Sequence, residues 1–408
     1  MNLKAIAIII FTLSYLYKLT LSIINLRSEN NPIPENVSDV YDHAAYERWR
    51  AYHNEKNRFD MISSFASYIV DVLLLVFNVY AAFAGLFPDN MFWQTFAVIL
   101  LSLMNSLLQI PFSRYDTMVI EQKYGFNKTT PKTFWADQVK SMILELLLLT
   151  GVAFLLLGLH RSFGDWLIPA FAIIMTLFLL LISFLYPVFS KIFNKFTPLE
   201  EGELKNKLTY LLEKNGYQVR GINVMDASRR TTKSNAYFTG FGKMKTIVLY
   251  DNLVASQTPD EICAVFAHEL GHGLHKDTLK NRIISFLQMT VLAVLAWFTL
   301  RTVEIFTDFG FSGINYGFAL ILIMSVEFAF VSPLFSLLAN HFSRKAEYRA
   351  DEQAVKEGYG EQLISALKTL SRENYANLSP SPLLVKLEYS HPTLSQRIDA
   401  IRKLQVKG

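Results

Sequence analysis

Cysteine is almost absent. Cys263 is the single one in 408 residues, which excludes an intrachain disulfide framework and any multi-cysteine zinc site. Charge is scarce too: 18% of residues are Asp, Glu, Lys or Arg, against roughly 25% in ordinary soluble proteins. No strong excess of either sign exists. The 39 Lys and Arg against 35 Asp and Glu leave a formal charge of +4, too little to point to nucleic acid. Hydrophobic residues reach 51%, so the chain is neither disordered nor fibrous, and the balance weighs against a purely soluble enzyme.

A bilayer core about 30 Å thick needs about 20 mostly apolar helical residues to cross it. Seven stretches meet that requirement: 3–26, 63–87, 91–112, 138–159, 166–189, 283–305 and 316–339. The first is long, contains Lys18 and shows no clear small-residue cleavage site, so it reads as a retained anchor rather than a cleaved signal peptide. Loop charge alternates. Arg27, Arg48, Arg50, Lys56 and Arg58 follow the first stretch and Arg114, Lys123, Lys128 and Lys132 the third, whereas 88–90 and 306–315 contain neither Lys nor Arg. This pattern predicts basic loops in the cytoplasm, an outer N-terminus, and polar segments 190–282 and 340–408 on the same inner side. Asp71, Glu145 and Glu327 fall within spans, where a charge is costly and faces a polar interior or a partner.

Residues 198–215 read as a charged amphipathic helix. Strand-like runs follow at Gly221–Met225, Ala236–Thr239 and Thr246–Tyr250, with Gly240 and Gly242 marking a turn between the last two. Thr258-Pro259-Asp260-Glu261 combines an N-cap Thr, a Pro at the first helical position and a Glu three residues after the cap, a strong helix start. The helix it opens carries His268-Glu269-Leu270-Gly271-His272. Residues four apart share a helix face, so both histidines can address one metal ion, with Glu269 beside them as general base toward water. A catalytic zinc takes three protein ligands and keeps one open position. His275, His341, His391 and Glu347 are candidates for the third. Glu347 and Asp351 are also four apart, and a ligand carboxylate followed by one that orients a ligand histidine is sound zinc chemistry. The plainer alternative is a solvated helix face pairing with Arg344 or Lys345. Spacing alone leaves that choice open.

These residues resemble a known family. His268-Glu269-Leu270-Gly271-His272, Glu347-x-x-Ala350-Asp351 and Ser390-His391-Pro392-Thr393-Leu394-x-x-Arg397 are similar to the three signatures of the membrane-embedded CAAX prenyl endopeptidases, the type 1 or a-factor-converting zinc proteases. The segments 119–130, 194–199 and 234–238 extend the likeness over nearly the whole chain. The resemblance implies one Zn2+ per chain held by His268, His272 and Glu347, with Glu269 as general base and Asp351 supporting the ligands from behind. It implies an edge strand at Asn235 and Ala236 where substrate lies extended. His391 then donates to the developing oxyanion, and Arg397 orients the substrate or Glu347. The implied fold is mainly α: a polytopic membrane protein with seven tilted helices around a water-filled chamber, plus a small α+β zincin-like catalytic domain. The expected divisions are a five-span region 1–189, a catalytic insert 190–282, two spans in 283–339 and a C-terminal catalytic segment 340–408.

The expected activity is zinc-dependent hydrolysis of peptide bonds near the C-terminus of prenylated CAAX-type proteins or in membrane-associated peptides. Its partners are then a peptide or lipidated substrate and the bilayer, with no nucleic acid. The catalytic segments face the cytoplasm, from a bacterial inner membrane or an endoplasmic reticulum. Two alternatives stand: a membrane-protein quality-control metalloprotease without prenyl specificity, and a non-catalytic zinc-binding scaffold or transporter. Cys263, five residues before His268, is assigned to packing.

Overall fold

The computed structural model describes residues 2–163, 167–239 and 246–406. The turn expected at Gly240 and Gly242, and the first residue of the 166–189 stretch, lie outside them. The membrane part opens with α1 (Leu3–Arg27), α2 (His43–Val76), α3 (Val79–Ala84) and α4 (Met91–Tyr115), continued by π-helix over Asp116–Glu121, then α5 (Pro131–Phe163) and α6 (Leu167–Phe193). The insert follows as β1 (Phe196–Pro198), α7 (Glu203–Lys214), β2 (Gly221–Met225), β3 (Ala236–Thr239), β4 (Thr246–Tyr250), α8 (Asp251–Ser256) and α9 (Pro259–Leu274). The chain returns through α10 (Asp277–Thr299), α11 (Val303–Asp308), α12 (Tyr316–Leu322) and α13 (Phe328–Lys356), and closes with α14 (Gly360–Glu373), α15 (Pro382–Leu387) and α16 (Leu394–Gln405).

Among the described residues, 5 helices are long and apolar enough to cross a membrane: Leu3–Asn30, His43–Val76, Met91–Glu121, Leu279–Thr299 and Tyr316–Lys356. The fourth and fifth apolar stretches fall on α5 and α6, of 33 and 27 residues. The count of seven spans is approximate, because several are broken or extended. The second begins twenty residues before its apolar run, capped by Asp42, and breaks at Asn78, where φ is 55°. The sixth breaks after Thr299 into the short α11. Bulky apolar side chains such as Ile9, Leu13, Ile62 and Phe65 are exposed, as lipid-facing surfaces require. Two of the carboxylates within spans have partners on other helices. Glu145 accepts from Ser102 Oγ (2.9 Å) and Ser106 Oγ (2.7 Å) of α4, and Glu327 accepts from Thr299 Oγ1 (2.5 Å).

All three strands expected in the insert form over the expected residues, joined by β1 in the order β1-β2-β4-β3. The helix expected over 198–215 starts later, at Glu203: residues 196–198 are drawn into β1, antiparallel to β2. The β2–β4 pair is parallel and the β3–β4 pair antiparallel, leaving β3 at an edge.

The capping box at Thr258 and Glu261 is made in full, so α9 begins where its sequence says. This helix lies between two cores. Ile262, Cys263 and Phe266 pack with Leu208, Leu211, Ile247 and Leu249 under the sheet. Ala264 and Ala267 pack with Trp49, Leu363, Ile398 and Ile401 from α2, α14 and α16. Cys263 is buried, and burial pushes its thiol up to about 12, an inert packing residue. The third side of α9 meets α13. A Cβ added at Gly271 would lie 2.8 Å from Ala350 Cα and 3.1 Å from Gln353 Cβ, so the missing side chain sets the approach of the two helices. An interior Gly→Ala change ordinarily stabilises a helix by about 1 kcal/mol. Here the contact is with backbone, and overpacking costs about 1–3 kcal/mol. Gly271→Ala should therefore lower the melting temperature in detergent. A raised value would show that α9 and α13 are not packed to contact at this point.

Candidate active site

The histidines of α9 and the carboxylates of α13 face each other across that close contact. His268, His272 and Glu347 can each offer one ligand atom, and the three atoms lie within 4.8 Å of one another. His272 Nε2 is 3.2 Å from Glu347 Oε1 and His268 Nε2 is 3.5 Å from Glu347 Oε2. Two imidazoles and a carboxylate converging on one point are a donor set that fits a metal ion such as zinc. A further observation supports that fit. Glu347 Oε2 is buried and has no hydrogen-bond donor among the described residues, a vacancy in bonding that buried carboxylates normally fill.

Glu347 and Asp351 lie beyond the last apolar stretch but on the same helix. They belong to α13, which runs unbroken from Phe328 to Lys356 because nothing between the apolar and polar parts caps or breaks it. Their face is not solvated: Glu347 is 3% and Asp351 0% exposed. Arg344, the local partner considered for them, donates instead to the carbonyls of Val385 and Tyr389.

Behind the ligand atoms each histidine meets another carboxylate. His268 Nδ1 donates to Asp351 Oδ1 (2.8 Å). Arg397 holds that carboxylate in a fork, Nε to Oδ2 at 3.0 Å and Nη2 to Oδ1 at 2.6 Å, while its Nη1 lies 3.4 Å from Glu347 Oε2. Of the two roles open to Arg397, substrate or Glu347, its geometry lies on the carboxylate side: the residue is buried and its fork is taken up by Asp351. Burial opposes the charge on Arg397, but the Asp351 and Glu347 charges outweigh it and raise its pKa.

His272 Nδ1 donates to Asp277 Oδ2 (3.3 Å). The sequence reading missed Asp277. Five residues along a continuous helix would place it about 140° around the axis from His272, and only the break at Lys276, with φ of 53°, brings it back. Burial would raise the Asp277 carboxyl, but Lys280, His272 and Arg349 hold it below its usual range. Burial would likewise disfavour the charged His272 ring. Glu347, Glu269 and Asp277 outweigh that and raise its pKa, so the surroundings are anionic and suited to a cation.

Glu269 is half-buried, between the two histidines in sequence and close enough for its charge to act on His272 and Arg397. His391 sits at the rim. Its side chain is 62% exposed, its Nε2 lies 3.4 Å from Glu347 Oε1, and its Nδ1 is paired with Ser390 Oγ at 2.8 Å. His275 and His341, the other candidates for third ligand, are both exposed and outside the group.

Beside α9 runs the edge strand. Asn235 is exposed. Its carbonyl accepts from Tyr250 N (3.0 Å) and its side chain from Ala236 N (2.9 Å). The approach to the strand is held by other parts of the chain. Ser234 Oγ donates to Glu373 Oε2 (2.8 Å). The loop after the third span pairs with it through Lys128 N to Arg230 O (3.0 Å) and Thr232 N to Phe126 O (3.1 Å). Lys233 Nζ reaches Glu121 Oε2 (3.1 Å) and lies 4.5 Å from the centre of the Phe126 ring.

Two known families match consecutive parts of the chain. Residues 22–195 match the CAAX prenyl protease N-terminal family, described by five membrane helices, and residues 198–405 match peptidase family M48. CAAX prenyl protease 1 homolog of Arabidopsis thaliana is 32% identical over 95% of this chain and 94% of its own length. CAAX prenyl protease 1 of Saccharomyces cerevisiae is 36% identical over 74% of this chain and 70% of its own. The crystal structure of S. mikatae Ste24p superposes with a TM-score of 0.91 at 28% identity, covering 98% of both chains. The chain belongs to peptidase family M48 and is a multi-pass membrane metalloprotease of the CAAX prenyl protease type.

Proposed function

We propose that the chain is a zinc endopeptidase, one Zn2+ per chain, that cleaves near the C-terminus of prenylated CAAX-type proteins with its catalytic segments on the cytoplasmic side. The observation that carries the chemistry is the convergence of His268, His272 and Glu347 beside Glu269. The support for the substrate class is likeness to CAAX prenyl proteases over nearly the whole chain, membrane part included.

His268, His272 and Glu347 would hold the ion, which when bound supplies Lewis acidity to the scissile carbonyl and brings the pKa of water toward about 7. Glu269 takes the proton of the attacking water and passes it to the leaving amine nitrogen as the C–N bond breaks. His391, exposed at the rim, donates to the oxygen that gains negative charge as water adds. The peptide lies beside the open edge of β3, next to Asn235 and Ala236, as an added strand. Asp351 and Arg397 hold His268 and Glu347 in place.

Glu269→Gln should keep its zinc and lose cleavage by about 10²–10⁴-fold, the usual worth of a general base. Metal analysis beside cleavage of a quenched peptide checks this, and wild-type turnover in the variant would disprove the assignment. Farnesylated CAAX peptide should be cleaved faster than the same peptide without the lipid, and chelator should stop both. Equal rates would mean a membrane metalloprotease without prenyl recognition, acting in the manner of a quality-control enzyme.

A further inference from the structure

The two ligand histidines are backed by parallel arrangements, and the sequence motifs account for one of them. His268 donates to Asp351, which Arg397 grips. His272 donates to Asp277, whose other oxygen accepts from Arg349 Nη2 (2.5 Å) and Lys280 Nζ (3.2 Å). Resting on the metal-site reading above, we propose that Asp277, gripped by Arg349, is the positioning residue for His272: it holds the proton on Nδ1 and so leaves Nε2 bare toward the metal.

An acid in the first turn of a helix has a plainer reading, since the N-terminus of α10 favours negative charge. Three features go beyond it. Asp277 is 7% exposed, and burying a carboxylate merely to suit a helix end is costly. Its two oxygens are divided, Oδ2 to the imidazole and Oδ1 to the cations, so the carboxylate is fixed by bonds on both sides. And Arg349 comes from α13, two residues from both Glu347 and Asp351. One helix thus supplies the metal carboxylate, the acid behind His268 and the cation that grips the acid behind His272. Partners of this kind orient ligand rings, and losing them typically costs about 10–100-fold in metal affinity. Asp277 also begins the sixth membrane helix, so the His272 ring is tied to the position of that span.

The test is the zinc dissociation constant of the detergent-solubilised full chain, measured by chelator competition, with the melting temperature of the metal-free protein as control. Asp277→Ser keeps a polar group suited to a helix N-terminus but is too short to reach the ring. It should weaken zinc about 10–100-fold, while loss of the ion pairs to Arg349 and Lys280 lowers the melting temperature of Asp277→Ser and Asp277→Asn alike. Asp277→Asn, which still offers an oxygen to Nδ1–H, should restore most of that loss. Wild-type affinity in Asp277→Ser, or a loss in Asp277→Asn as large as in Asp277→Ser, would overturn the proposal. Should Asp277→Ser not fold, 15N NMR of the zinc-loaded wild-type protein decides: a proton on His272 Nδ1 supports the proposal and a proton on Nε2 refutes it. Wild-type protein that binds no zinc would instead sink the metal-site reading itself.

Discussion

The crossing of α9 and α13 is the contact on which the site depends. Gly271 lets the two backbones approach until a single added methyl would strike Ala350, and at that separation imidazoles on one helix meet a carboxylate on the other. Both helices are locked from other sides. The sheet presses on one face of α9, and α2, α14 and α16 press on another through small residues, Ala264 and Ala267. Close-packed interiors deform little, so ligand atoms held between two such cores stay in place without long side chains having to be ordered one by one.

That arrangement buries charge, and the site consists largely of the compensation. Glu347, Asp351 and Arg397 are each less than a tenth exposed. An isolated charge there would cost several kcal/mol. A fork from Arg397 to Asp351, with a third nitrogen near Glu347, makes the burial tolerable. Breaking a buried pair by deleting one partner costs about 3–5 kcal/mol. The arginine is therefore structural support and electrostatic support together. Glu347 Oε2 has the Arg397 guanidinium 3.4 Å away but no hydrogen-bond donor among the described residues, so it keeps capacity for a metal ion.

The membrane part and the catalytic part are tied by side chains as well as by continuity of chain. Arg230, at the approach to the edge strand, makes a fork to Asp137 of α5 at 2.8 and 3.1 Å and donates to Asn194 at the end of α6 at 3.1 Å. Lys233 joins the same approach to the π-helical turn after α4. The segment 119–130, which the sequence marked by likeness alone, thus has a physical role, supporting the segment that leads into the edge strand β3.

Much of this was legible in advance because it is local. Apolar stretches long enough to cross a bilayer, alternation in three short strands, and the Thr258–Glu261 cap depend on neighbours within a few residues, and so does the spacing of His268 and His272. Boundaries read less well. Residues 196–198 became a strand because β2 was there to pair with, and α13 ran past its apolar part because nothing stopped it. The third ligand was open among three histidines and Glu347 when spacing alone was used, and Asp277 was invisible, since its place under His272 depends on a left-handed residue at Lys276. The sequence by itself determined the helices, the membrane class and the kind of chemistry, because periodicity and residue type carry those. Only the tertiary structure decided which carboxylates meet which histidines and which arginines neutralise them, because such partners lie up to 83 residues apart and are brought together by helix packing.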